Sequence, residues 1–376
     1  MTSSEPAGDR SYRALSVGPA AAQALAAGGG ALRVHSLFAS TLNLAVEGTD
    51  WIIALTGPPG GGLPHAIVLE APGDFRTWPA IQGGPARLLH GELRLEGSAG
   101  AVCVDLGEAR RPPARPLPRI DHLGGAHRAC VLELARLQVR SACDLSIPAL
   151  GAAERAATPL AAALRGAALG LGEAARDWAR SGSGVPAGRR ERWRPSEPDC
   201  EPLRKAVGAL VGLGAGLTPA GDDFLCGFMA AASAGRPGVA DAGDGLFALL
   251  GDAAEANLGR TGELSAGLIR CAMRGLWPWP LVDLAVALVG DLEREALRAL
   301  ESLCQLGHSS GADLATGFLF GLETVIAPDA RRGCRAGCPR RAATRSRAGC
   351  RGPRRRSSHH CACWRARPRS SRWPLG

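Results

Sequence analysis

The sequence predicts an α+β protein in which a β-rich N-terminal unit precedes a mainly helical half. Three observations carry that expectation. Short apolar runs divided by Gly/Pro punctuation fill residues 31–107, a proline-interrupted linker follows at 108–119, and the apolar spacing then changes to three and four residues as far as about residue 326. Strands first and helices afterwards is a segregated order, unlike the strict alternation of an α/β sheet.

The elements follow in chain order. Residues 1–30 are set apart as an N-terminal extension, and strands are expected at 42–46, 51–55, 66–69, 86–95 and 101–106, with a further strand-like run over 34–44. The stretch Gly57 to Gly62 lacks the Lys-Ser/Thr of a phosphate loop and no helix pattern follows it, so it reads as a hairpin or mobile turn. His35 and Asn43 are polar residues within the 34–44 run that could reach a functional site, with turn and pairing roles the favoured reading. Beyond the linker, 124–143 and 156–180 have the spacing of an antiparallel helical pair, residues 181–202 form a polar break, and short helices are expected at 203–212, 219–234, 244–258, 262–275, 280–303 and 311–326. Trp277-Pro-Trp279 reads as a packed loop. The domain plan is therefore a β-rich unit at 31–119, a helical unit at 120–330 and a tail at 331–376.

Charge divides the chain at the same place as composition. The 376 residues carry 44 basic and 35 acidic side chains, but 15 arginines and no acidic residue lie beyond residue 330; 44 less 15 leaves 29 basic against 35 acidic in the body. An acidic body gives no reason to expect nucleic-acid binding. The tail has no periodicity and almost no aliphatic residues, and its Cys and His spacing fits no zinc pattern. Its Arg, Gly, Pro, Cys and Ser mixture is what GC-rich DNA yields when read out of frame, so it is expected to be disordered. The seven cysteines of the body are scattered singly, which fits reduced thiols in a cytoplasmic protein. No export signal and no membrane-length apolar run is expected to act on this chain.

The chemistry concentrates in Gly212-Leu-Gly-Ala-Gly-Leu-Thr-Pro-Ala-Gly-Asp-Asp-Phe-Leu-Cys-Gly227. Gly212, Gly214 and Gly216 can adopt angles closed to other residues and let an anion approach main-chain N–H groups. Thr218 followed by Pro219 reads as an N-cap and first helical residue, which places Asp222 and Asp223 in the first turn. Adjacent carboxylates in this glycine-rich setting favour a site, for metal coordination or for hydrogen bonding to an amide or hydroxyl of a substrate.

A second segment repeats this one ninety residues later. His308-Ser-Ser-Gly-Ala-Asp-Leu-Ala-Thr-Gly-Phe318 aligns with Thr218–Phe228 and matches it at Gly221/Gly311, Asp223/Asp313, Gly227/Gly317 and Phe228/Phe318. In each, an aspartate shares a helical face with small residues four and eight positions on, and such a stripe lets two helices approach closely. The two helices are thus expected to pack with their N-termini converging, which would gather Thr218, Asp222 and Asp223 near His308, Ser309, Ser310 and Asp313. The hydroxyls have a capping role available, with Asp313 three residues after Ser310. His308 is the acid–base candidate. Arg260 and Thr261 open a further helix, where the guanidinium could clamp a phosphate or carboxylate.

These segments resemble the AllH-type family. The likeness rests on Gly212 to Gly227, on residues 261–275 and on Gly307-His-Ser-Ser-Gly-Ala-Asp313, includes the His35-Ser36 strand, spans roughly residues 30–326 and excludes the tail. The resemblance implies a cytoplasmic subunit of oxamate carbamoyltransferase, a multisubunit enzyme that moves a carbamoyl group between phosphate and the oxamate nitrogen in purine and allantoin catabolism. It implies other subunits and a small anionic substrate as partners, while charge and hydropathy lead us to expect no nucleic acid and no membrane. Asp222, Asp223 and His308 are the expected catalytic residues; Gly214, Gly216, Thr218, Arg260, Thr261, Ser309, Ser310 and Asp313 the expected substrate contacts. No metal or cofactor is assigned. The other reading is a non-catalytic scaffold or small-anion-binding subunit, in which the glycines serve packing and the aspartates stabilise helix starts.

Overall fold

Among the described residues, eight strands close into a barrel and nine of the ten α-helices come after it. The computed structural model describes residues 10–58, 61–97, 100–137, 159–180, 197–235 and 242–326. The tail lies outside them. The strands are β1 (Arg10–Val17), β2 (Ala31–Leu37), β3 (Thr41–Val46), β4 (Ile52–Thr56), β5 (Ala66–Leu69), β6 (Pro85–Leu89), β7 (Glu92–Gly97) and β8 (Gly100–Asp105). Around the barrel they run β1-β5-β4-β3-β2-β6-β7-β8, with β1/β8 and β4/β5 parallel and the remaining neighbours antiparallel. Closure leaves no free edge, and Val34, Leu44, Ile53, Leu55, Ile67, Leu93 and Val104 fill the interior.

Several boundaries differ from the sequence reading, each for a local reason. Residues 10–27 are not an extension, because β1 completes the barrel and α1 (Pro19–Ala27) packs Ala20, Ala21 and Ala24 into buried positions. The run 86–95 is two strands, since His90 and Gly91 take positive φ (50° and 84°) and reverse the chain between β6 and β7. The 34–44 run is likewise β2 and β3, joined by a short turn. Gly57 to Gly62 is no hairpin: it connects β4 to β5, which are parallel neighbours, and Gly62 O accepts the Trp279 N–H at 2.8 Å.

The helical half comprises α2 (Gly125–Leu137), α3 (Pro159–Arg180), α4 (Glu197–Leu210), α5 (Ala220–Ala234), α6 (Ala242–Glu255), α7 (Glu263–Met273), α8 (Trp279–Val289), α9 (Glu293–Cys304) and α10 (Ser310–Ile326). Of the expected pair 124–143 and 156–180, residues 138–143 and 156–158 lie outside the described residues, and the described parts have other main partners: α3 packs on α4 and α2 on α9. The expected helix 280–303 breaks in two where Asp291 takes φ 49° after Gly290. Trp279, read as loop, is the first residue of α8.

Helix α5 forms the centre of this half. Every residue of it except Ser233 is buried, as a helix apolar or small on all sides must be, and it packs most extensively on α10. The linker after the barrel returns to it: Ile120 N–H donates to Ala234 O at 2.9 Å at the far end of α5.

Candidate functional site

The close packing of α5 on α10 follows from glycine. A Cβ at Gly227 would collide with Leu314 O and Phe318 N, and one at Gly317 with Phe224 O. Phe224 precedes Gly227 by three residues as Leu314 precedes Gly317, so each glycine seats on the equivalent carbonyl of the other helix. Further along, Gly321 faces Ala231, its own equivalent under the ninety-residue shift.

The relation extends to the helix before each. Gly221 rests under Leu210 O at the end of α4, as Gly311 rests under Leu303 O near the end of α9. The intervening turns match too: Leu213 N–H donates to Leu210 O and Leu306 N–H to Leu303 O, while the Gly221 N–H donates to Leu213 O (2.8 Å) and the Gly311 N–H to Leu306 O (3.0 Å). The chain therefore contains two helix–turn–helix units related by an approximate two-fold, α4–α5 and α9–α10. The first has a longer connection between Leu213 and Gly221, and this addition holds Gly214 and Gly216, at φ 136° and 93°. Only glycine tolerates such angles without strain.

The helix N-termini converge as expected, with Thr218 Oγ1 2.8 Å from Ser310 Oγ. Thr218 is not the N-cap, however. Pro219 takes that place with extended angles (φ −54°, ψ 139°), α5 begins at Ala220, and no side chain caps it. The threonine hydroxyl is spent instead on linking the two helix starts. Asp223 and Asp313 are both buried there, at 5% and 0% exposure, and Asp223 Oδ2 has no hydrogen-bond partner among the described residues. Burial holds the Asp223 carboxyl well above the usual carboxylate range; a hydrogen bond with Ser310 opposes this, and the charges of Asp313 and Asp222 add to it.

Asp222 has a different environment from its neighbour. Its Oδ1 accepts the Gly212 N–H at 2.7 Å, and its Oδ2 accepts Thr261 Oγ1–H at 2.5 Å and Ser265 Oγ–H at 2.6 Å. These three bonds fasten the glycine loop to the start of α7, and Gly212 sits at φ 76° against Arg260 O. The expected pair of equivalent carboxylates is thus divided: Asp222 is occupied by protein donors, whereas Asp223 has an acceptor in reserve. Thr261 belongs with Asp222. Arg260 is exposed and its Nη1 already donates to Gly208 O on α4. His308 is exposed on the turn before α10, Ser309 and Ser310 are half-buried, and Gly216 is exposed on the loop.

On the barrel, a second polar group appears that residue types alone did not assemble. Asn43 Nδ2 donates to Ser36 Oγ at 2.9 Å, Ser36 Oγ lies 3.1 Å from His35 Nδ1, and His35 Nε2 is 3.7 Å from Glu263 Oε2 on α7. Glu263 also accepts from Arg33 at 3.1 Å. Among the described residues no cluster of three or more His, Cys, Asp or Glu side chains could hold a metal ion, and no helix is long and apolar enough to cross a membrane.

The raised Asp223 pKa has a testable consequence. A carboxyl whose folded value is raised binds its proton more tightly in the fold, so its contribution is complete below the ordinary value of 3.8 and is lost as pH climbs toward the folded value. The stability of the wild type relative to Asp223→Asn, from urea titrations at a series of pH values, is expected to fall as pH rises above about 4. The variant serves as reference because buried His65, pushed down to about 4, gains stability for the fold as pH rises from that value to 6.5. A difference between the two proteins that stays constant with pH would refute the raised Asp223 pKa.

Two family models match the chain: oxamate carbamoyltransferase subunit AllH over residues 210–322, and the AllH family N-terminal domain over residues 13–111. The first match contains both helix–turn connections and α7, and the second contains nearly the whole barrel. No curated protein and no solved structure matches the chain.

Proposed function

The chain belongs to the AllH family, and on that premise we propose that it is the oxamate carbamoyltransferase subunit in which the converged starts of α5 and α10 bind the carbamoyl group and its anionic partner. One observation carries this reading: a buried carboxyl with an unoccupied acceptor, Asp223 Oδ2, lies where two helix N-termini are linked by a hydroxyl pair at 2.8 Å. Paired N-termini favour negative charge, and exposed main-chain N–H groups in the Gly214–Gly216 loop add donors. They suit a phosphate or the carboxylate of oxamate or oxalurate. Asp223 accepts from the carbamoyl or oxamate N–H, Thr218, Ser309 and Ser310 orient the group, and exposed His308 carries a proton to or from solvent. Burial, with the charges of Asp313 and Asp222 beside it, makes Asp223 a proton acceptor of raised basicity.

Asp222 and Thr261 take the supporting role of holding the loop. Arg260 contributes the guanidinium N–H groups that Gly208 does not use. The remaining subunits of the enzyme complete the site, in the cytoplasm, within the degradation of purine and allantoin nitrogen.

In the assembled complex, Asp223→Asn is expected to lower kcat/KM for carbamoyl transfer from oxalurate to phosphate by about 100-fold or more, as for loss of a positioned proton acceptor. Steady-state kinetics beside a circular dichroism check of folding measures it. Unchanged kcat/KM in a folded variant would remove Asp223 from the chemistry and leave the scaffold role.

A further inference from the structure

We infer that Ser36, His35 and Glu263, supported by Asn43, form a second reactive site on the barrel, with Ser36 Oγ as a nucleophile toward an activated acyl-type electrophile. This site is separate from the helix starts and does not rest on the transferase reading.

The inference starts from strand register. Successive residues of a strand point to opposite faces, so His35 and Ser36 would ordinarily not meet. Here β2 pairs Val34 with Leu44 and then Ser36 with Asn43, which leaves His35 as the extra residue of a bulge. A bulge re-aims a side chain, and this one brings the imidazole 3.1 Å from the hydroxyl of the next residue.

Hydrogen-bond directions then fix the protons. Asn43 Nδ2 is a donor, so Ser36 Oγ accepts from it and has its own proton free to give. The acceptor within reach is His35 Nδ1. That leaves the ring proton on Nε2, facing the Glu263 carboxylate at 3.7 Å. The order hydroxyl, imidazole, carboxylate is that of an activated serine, a constellation known by geometry rather than by sequence position. Contacts of this kind are often long without substrate and tighten when it binds.

Burial favours the same interpretation. Ser36 and Asn43 are 7% and 4% exposed, the His35 side chain 16% and the Glu263 side chain 63%. The relay thus leads from a shielded hydroxyl to solvent, whereas Asn43 and Ser36 would satisfy each other without it. Two of the described thiols are poor nucleophiles beside it: burial pushes Cys271 up to about 12 and Cys304 up to about 11. Glu263 also lies between Thr261 and Ser265, the two residues bonded to Asp222, so α7 ties this site mechanically to the glycine loop.

The step balances without a cofactor. Ser36 Oγ attacks the electrophilic carbonyl carbon, its proton passes to His35 Nδ1, the Oγ–C bond forms and the leaving group departs with its electron pair. With carbamoyl phosphate the leaving group is inorganic phosphate and the product a carbamoyl ester of Ser36.

The test uses the full chain and a fluorophosphonate probe, which reacts at activated serines with loss of fluoride, followed by peptide mapping by mass spectrometry. The expected result is an adduct on Ser36, formed about 100-fold more slowly in His35→Gln and about 10-fold more slowly in Glu263→Gln. Wild-type mapping does not depend on any variant folding, and a Ser36→Ala variant of native circular dichroism should lose the adduct. Absence of label at Ser36 in folded wild type, label at another serine alone, or an equal rate in His35→Gln would overturn the site. A parallel incubation with carbamoyl phosphate that leaves a carbamoyl group on Ser36 would identify the donor as that acyl phosphate. An adduct from the fluorophosphonate alone would retain the nucleophile and assign it another acyl donor.

Discussion

Alanine at Gly227 is expected to lower the stability of the protein by about 3 kcal/mol, and alanine at Gly317 by a similar amount. In each case a single methyl enters the space held by a backbone carbonyl of the opposing helix, Leu314 O or Phe224 O. A carbonyl on a helix cannot rotate aside as a side chain can, so the whole of α5 or α10 has to shift. Overpacking a well-filled core costs about 1–3 kcal/mol, and loss of the Phe224, Phe228 and Phe320 contacts along the same seam adds to it. Alanine would gain about 1 kcal/mol of helix propensity over glycine, which partly offsets the clash. Chemical denaturation reads the balance. Unchanged or increased stability would mean that the helices are not held at the distance described. Because both glycines sit at one crossing, the double variant should lose less than the sum of the two.

The second large effect is expected at Asp222. Asp222→Ala removes the acceptor for three donors at once, the Gly212 N–H and the Thr261 and Ser265 hydroxyls. Each buried donor left without a partner costs about 1–3 kcal/mol, although Gly212 and Thr261 are half-buried and can recover bonds to water. A loss of about 3–5 kcal/mol follows. Hydrogen exchange at the Gly212–Gly216 amides should accelerate more than exchange along α5, because the loop loses its tie while the α5–α10 seam persists. Ser265→Ala removes one donor only and should cost about 1 kcal/mol. Equal stability of Asp222→Ala and wild type would show that the three bonds do not hold the loop, and would return Asp222 to its expected catalytic role.

The α5–α10 crossing and Asp222 also separate what was legible in the sequence from what was not. The convergence of α5 and α10 was readable because its cause is local: an aspartate, a glycine and a small residue at spacings of four, repeated ninety residues on, mark the helix face on which backbones can touch. The strands at 42–46, 51–55 and 66–69 were readable for the same reason, with apolar runs ending in glycine or proline. The role of Asp222 was not. It stands beside Asp223 in the chain with the same chemistry, and the difference arises from Thr261 and Ser265, some forty residues away. Glu263 escaped notice as an ordinary first-turn acid of α7. His35 and Asn43 were noticed but given turn and pairing roles, because nothing in 34–44 marks the bulge that turns the imidazole toward Ser36.

By itself, then, the sequence determined the order of strands and helices, the glycine loop, the duplicated Asp-Gly stripe and the family to which the chain belongs. Each of these is written in residues close together, through periodicity, backbone angles and motif. Only the tertiary structure decided that the strands close into a barrel starting at Arg10, that both oxygens of Asp222 are engaged by protein donors while Asp223 retains a free acceptor, and that a hydroxyl, an imidazole and a carboxylate come into line across β2 and α7. The reason is physical. A buried polar atom is defined by the partners that replace water around it, and those partners come from distant parts of the chain that only packing brings together.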